Sequence, residues 1–148
     1  MTAHYDTDFY TWTQEQAALL REGAVAELDL TNLAEEIESL GKSDRRALRS
    51  HLEGLVMRLL KWRYQPSGHE TGHSWYSTIR EHRNQIDAIL EDSPSLRHVA
   101  PDLLTRRYAS ARETARDETR LPLDTFPVTC PWTAEQVLDE HFWPEQTS

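Results

Sequence analysis

Apolar residues recur at helical spacing along most of the chain, and strict alternation never persists for the four to eight residues that mark a half-buried strand. The pattern predicts an all-α protein, a single-domain bundle of five or six helices. Thr13 and Gln16 have the form of a capping box, which places a first helix at 14–22 with Leu19 and Leu20 towards the core and Gly23 as a left-handed stop. Asp29 is the expected N-cap of a second helix, whose apolar stripe is Leu30, Leu33, Ile37 and Leu40 and whose opposite face carries Glu35, Glu36 and Glu38. From Ser43 a further segment carries Leu48, Leu52, Leu55, Val56, Leu59 and Trp62 on one face and ends before Pro66. The stripe crosses Gly41 only by a shift in phase, because Asp44 falls where an apolar residue is wanted, so a break or bend is expected there.

The polar stretch 65–73, with a proline and two glycines, reads as a loop. A following helix holds Trp75, Ile79, Ile86, Ile89 and Leu90 inside and ends at Ser93-Pro94. Ser95 is the expected cap of the next, whose stripe Leu96, Val99, Leu103, Leu104, Tyr108, Ala111 and Ala115 runs towards Arg120; Pro101 should kink or divide it. Pro122, Pro127 and Pro131, with Leu123, Phe126 and Trp132 between them, suggest a proline-rich extended strap that packs its aromatic residues on the bundle. A last short helix fits 134–142, capped by Thr133 with Gln136 at its third position.

Composition narrows the class of function. Sixteen Lys and Arg against 25 Asp and Glu leave a net charge of −9 in 148 residues, an acidic balance that argues against nucleic-acid binding through phosphate neutralisation. The single cysteine, Cys130, excludes an internal disulfide framework, fits a reducing compartment and reads as a small structural residue. The first eight residues are polar and acidic where a signal peptide needs a basic end and an apolar run, and no stretch approaches about 18 apolar residues. A soluble, cytoplasmic single domain over 1–148 is expected, with 1–12 and 144–148 loosely ordered. No Gly-rich phosphate loop, G-x-S-x-G elbow or dinucleotide fingerprint occurs, so nucleotide chemistry is unsupported.

Several ordered motifs then carry a resemblance: Leu33-Ala-Glu-Glu-Ile-Glu-Ser-Leu-Gly41, Arg46-Ala-Leu-Arg-Ser through Leu59-Leu-Lys-Trp62 to Tyr64-Gln-Pro66, Ser74-Trp75 with Ile79-Arg-Glu, Asp92-Ser-Pro-Ser-Leu96, and Phe126-Pro-x-x-Cys130-Pro. Together, from about Tyr5 to Pro144, they resemble the bacterial family known as domain of unknown function twenty-nine. The resemblance implies an all-helical, single-domain bacterial protein and implies no activity.

Three constellations have chemical content. His69-Glu70-Thr-Gly-His73 matches H-E-x-x-H, in which two histidines one turn apart bind zinc or another divalent metal and the glutamate is the general base. That chemistry needs a helix, whereas Pro66, Gly68 and Gly72 crowd the motif, and a third ligand would have to come from His51, His82, His98 or a carboxylate. Arg46 and His51 have the spacing used by some small helical ribonucleases, although composition alone yields roughly 0.7 such pairs. A di-iron carboxylate bundle needs Glu-x-x-His on two helices, and only Glu70-Thr-Gly-His73 fits. Residues 42–63 hold seven Lys or Arg against two acids, a basic face expected to pair partly with the acidic 27–38 segment. The reading that absorbs most of the pattern is a non-enzymatic, cofactor-free binding or assembly protein, recognising a protein partner or a second copy and no membrane. Its expected surface is Glu35, Glu36, Glu38, Arg45, Arg46 and Arg49. The competing reading is a metal-dependent hydrolase with His69 and His73 as ligands and Glu70 as base.

Overall fold

The structure, a computed structural model, describes residues 4–65 and 72–145. Among the described residues five α-helices follow one another: α1 (Phe9–Glu22), α2 (Leu30–Tyr64), α3 (Gly72–Asp92), α4 (Ala100–Thr119) and α5 (Ala134–Leu138), with 3-10 turns at Val25–Glu27, Pro94–His98 and Leu123–Thr125. No strand occurs among the described residues, so the protein is all-α. The chain forms two compact units, Met1–Ser43 and Asp44–Ser148, and α2 contributes residues to both.

In the first unit α1 starts five residues earlier than the capping-box pattern predicts. Asp8, not Thr13, is the N-cap, its carboxylate accepting from the Thr11 N–H at 3.1 Å. Thr13 lies inside the helix and its hydroxyl instead donates to the Tyr10 carbonyl at 2.6 Å, the back-bonding open to a mid-helix threonine. Gly23 ends α1 as expected, at φ 73°, with its own N–H on Leu20 O and the Ala24 N–H on Leu19 O, a Schellman arrangement. The side chains buried in this unit are Trp12 and Gln16, while Leu20 is exposed, which corrects its expected core role. Asp29 ties the unit together as the cap of α2. Its carboxylate accepts from the Trp12 indole N–H (3.0 Å) and from the Asn32 side chain (2.8 Å) and backbone (3.4 Å), while its own N–H donates to Gln16 Oε1 (2.8 Å). Those donors, the Asn32 side chain foremost, hold the Asp29 carboxyl below its usual pKa.

The predicted interruption at Gly41 is absent: α2 is one helix of 35 residues. A single glycine costs only about 1 kcal/mol in a helix interior, and no proline occurs between Leu30 and Tyr64. The change of phase at Asp44 coincides with the boundary between the two compact units.

The second unit holds the main core. Leu48, Leu52, Leu55, Val56, Leu59 and Leu60 of α2 pack with Ile79, Ile86 and Leu90 of α3 and with Leu103, Leu104, Tyr108, Ala111 and Ala115 of α4. Trp62 and Ile89, expected inside, are only partly buried against it. Pro101 neither kinks nor divides a helix: the segment from Pro94 is a 3-10 turn and α4 begins at Ala100, so the proline occupies the first turn, where no N–H is needed. Between α4 and α5 the chain is pinned by side chains of α4. Arg112 donates from Nε to Phe126 O (3.0 Å) and from Nη2 to Leu123 O (3.1 Å), the Tyr108 hydroxyl donates to Pro127 O (2.6 Å), and Phe126 itself is buried. The Thr133–Gln136 capping box forms as predicted, but α5 stops at Leu138 rather than 142, with a turn from Asp139 to Phe142.

Candidate interaction surface

The stripe expected to pack the first half of α2 into a core lies in solvent. Leu30, Ile37 and Leu40 are 62%, 67% and 69% exposed, and Leu33 is partly buried. Phe9, Tyr10, Leu20 and Val25 of the same unit are exposed as well. Among the described residues nine large hydrophobic side chains are exposed, and seven of them fall within the first 43 positions. Single exposed apolar residues need no explanation, but a run of them at 3-4-3 spacing on one helix is the a/d pattern of a packing seam.

Charge is divided as unevenly as hydrophobicity. Residues 1–43 hold two Lys or Arg against nine Asp or Glu, a net −7 of the chain's −9, which leaves −2 on the remaining 105 residues. At 100° per residue Glu36 and Asp29 flank the Leu30–Leu40 stripe on one side, with Ala34 and Gly41 on the other. A Cβ built on Gly41 would meet nothing within 4 Å. Glu36 is oriented by the Tyr5 hydroxyl, which donates to its carboxylate, and that bond with the surrounding negative charge pushes the Tyr5 pKa up to about 12.

Of the six residues expected to form the surface, Glu35, Glu36 and Glu38 belong to the first unit and Arg45, Arg46 and Arg49 to the second; within the first, Glu36 borders the apolar stripe and Glu35 falls on the opposite side of the helix. Five of the six are exposed and Glu36 is intermediate. The expected pairing of the basic 42–63 face with the acidic 27–38 segment does not occur among the described residues. Glu53 instead pairs with Arg107 of α4 (3.0 Å), and Lys61 with Glu118 (3.4 Å).

The chemical candidates fare differently. His69 and Glu70 lie outside the described residues, as does the side chain of His73; the His73 backbone belongs to the first turn of α3, not to a loop. Arg46 and His51 diverge by about 140° around α2, and His51 is directed to α3 instead. Its Nδ1 lies 3.1 Å from Nδ1 of His82, a contact that no motif in the sequence announces. The close approach depends on Gly54, where a Cβ would fall 2.9 Å from the His82 ring. Among the described residues no group of three or more His, Cys, Asp or Glu is placed to hold a metal. Cys130 donates to Trp132 O at 3.3 Å, and burial pushes its thiol pKa up, the opposite of an activated nucleophile.

One ring of the His51–His82 pair donates and the other accepts, which requires an unprotonated nitrogen between them. Burial, then Arg58 and His51, pushes the His82 pKa down to about 4 from 6.5. Between those values the unfolded chain binds the proton and the folded one does not, so this group's contribution is constant above pH 6.5 and stability falls as pH is lowered towards 4. The expected loss is about 2 kcal/mol, less than the whole shift corresponds to because the pair is partly solvated. Urea unfolding of the wild type and His82→Asn across this range checks it: the difference between the two curves should change with pH, and parallel curves would contradict it.

No helix among the described residues is long and apolar enough to cross a membrane. The family model described as "Domain of unknown function DUF29" matches residues 4–143. No curated protein and no solved structure matches the chain.

Proposed function

The chain belongs to the DUF29 family, a domain of unknown function, and on that premise we propose that it is a non-enzymatic binding or assembly protein of the bacterial cytoplasm, acting by contact rather than by chemistry. The observation that carries this reading is the exposed apolar stripe of α2 within a 43-residue unit whose buried side chains are Trp12 and Gln16. A stripe of that spacing costs solubility and is retained where something covers it. The division of charge supports the same reading, since a strong single-sign field accelerates encounter with a complementary partner. The reactive groups lean the same way: Cys130 is held as a thiol by burial and the two paired histidines contact each other.

Site-specific photo-crosslinking tests the reading. With a benzophenone side chain at position 37, irradiation in extract of the host cell is expected to give a discrete, saturable adduct that excess unlabelled protein competes away. The same side chain at exposed Asp117 of α4 should give none. Identical adducts from both positions, or none from position 37, would overturn it.

A further inference from the structure

The chemistry of the seam narrows the class of partner, an inference that rests on the binding reading above. Leu30, Leu33, Ile37 and Leu40 lie at heptad spacing on one face of α2, three of the four more than 60% exposed, and the stripe ends at Asp44. From the first to the last of them α2 rises about 15 Å, the reach of roughly three turns of a second helix. One edge is lined by the small residues Ala34 and Gly41, with open space over Gly41, which lets a facing backbone come close. The other edge carries Asp29 and Glu36, inside a unit of net charge −7. A partner that covers this seam has to bring apolar side chains for the stripe and positive charge for its border.

A second copy of the chain supplies these only separately. Its own first unit has the same stripe but the same negative charge, so seam against seam sets acid against acid. Its basic stretch, 42–63, has the right charge, but the apolar residues of that stretch, Leu48, Leu52, Leu55, Val56 and Leu59, are buried in its own core. An anionic lipid surface is opposed by the same negative field. We propose that the seam of α2 binds a basic amphipathic helix of a different protein, its leucine-type face on Leu30, Leu33, Ile37 and Leu40 and its Lys or Arg edge along Asp29 and Glu36.

The test uses the full chain and two labelled probe peptides of about 14 residues, both with leucine at heptad a and d positions, one filled with lysine and the other with glutamate. Fluorescence anisotropy is expected to show saturable one-to-one binding of the lysine peptide, weakened by salt, and none of the glutamate peptide. Ile37→Ser with Leu40→Ser should weaken binding about tenfold or more, and Glu36→Gln should flatten the salt dependence. Circular dichroism and urea unfolding verify that the variants fold; Leu40→Ala is the milder alternative if the double variant does not. Equal binding of both peptides overturns the basic partner and leaves the binding reading standing. So does a concentration-dependent dimer in light scattering that the Ile37→Ser, Leu40→Ser variant loses. Undiminished binding of the lysine peptide by the seam variants overturns the location. If neither peptide binds, the inference fails; if position 37 also gives no crosslink, the binding reading fails with it.

Discussion

Truncating Leu52 to alanine is expected to cost about 2–5 kcal/mol of unfolding free energy, whereas truncating Leu40 in the same way, twelve residues earlier on the same helix, is expected to change it by less than about 0.5 kcal/mol. Both residues belong to α2 and both are leucines in an apolar stripe. Leu52 has no exposed surface and sits among core side chains from three helices, so its loss removes transfer free energy and leaves a cavity that its neighbours fill only in part. Leu40 is 69% exposed, so little of its surface leaves water on folding. Urea titration of the two variants, with the slope checked for constancy, measures the contrast directly. Comparable losses would mean that the first half of α2 is packed after all.

The second large effect is expected at Arg83, which is 2% exposed on α3. Its Nε donates to the Val137 carbonyl at 2.9 Å, near the end of α5, and its guanidinium lies 5.3 Å from the Trp143 ring centroid. Trp143 is stacked on Tyr76 at 4.6 Å, so one cation organises the segment after α5. Both terminal nitrogens are buried and find no acceptor among the described residues, and desolvation lowers the arginine pKa, with Asp139 and Asp87 opposing that shift. Arg83→Ala removes the donor to Val137, the ring contact and the volume of a long side chain together. The expected cost is about 3–5 kcal/mol, accompanied by a red shift of tryptophan emission as Trp143 is released. Arg83→Met, which keeps the stem volume and removes the unpaired charge, should lose clearly less. If both substitutions cost the same, the hydrogen bond to Val137 rather than packing carries the effect.

How much of this is legible in the sequence depends on whether the information is local. The caps at Asp29 and Thr133, the left-handed stop at Gly23 and the core stripe from Leu48 to Leu59 follow from short-range spacing and reappear in the structure. The pattern misplaces the start of α1 because Thr13-x-x-Gln16 fits a capping box while Asp8 offers a stronger carboxylate cap five residues upstream. It misplaces Pro101 for a related reason: periodicity cannot distinguish a helix that begins at Ser95 from a 3-10 turn that hands over to a helix at Ala100. The stripe from Leu30 to Leu40 has the periodicity of a buried face, and nothing in its spacing records whether a partner element exists to cover it. The charge division is readable from composition alone, since only two of the 16 basic residues precede Asp44. The His51–His82 contact joins residues 31 apart, and no spacing rule predicts it.

Carbene footprinting of side chains, with and without saturating lysine peptide, reads the exposure of the α2 stripe residue by residue. Strong labelling of Leu30, Ile37 and Leu40 is predicted in the free protein at concentrations where light scattering gives a monomer. Adding the peptide should abolish that labelling, while exposed Val128, in the second unit, stays labelled throughout. A free monomer whose Ile37 and Leu40 resist labelling, or a peptide complex in which they label as before, would contradict it.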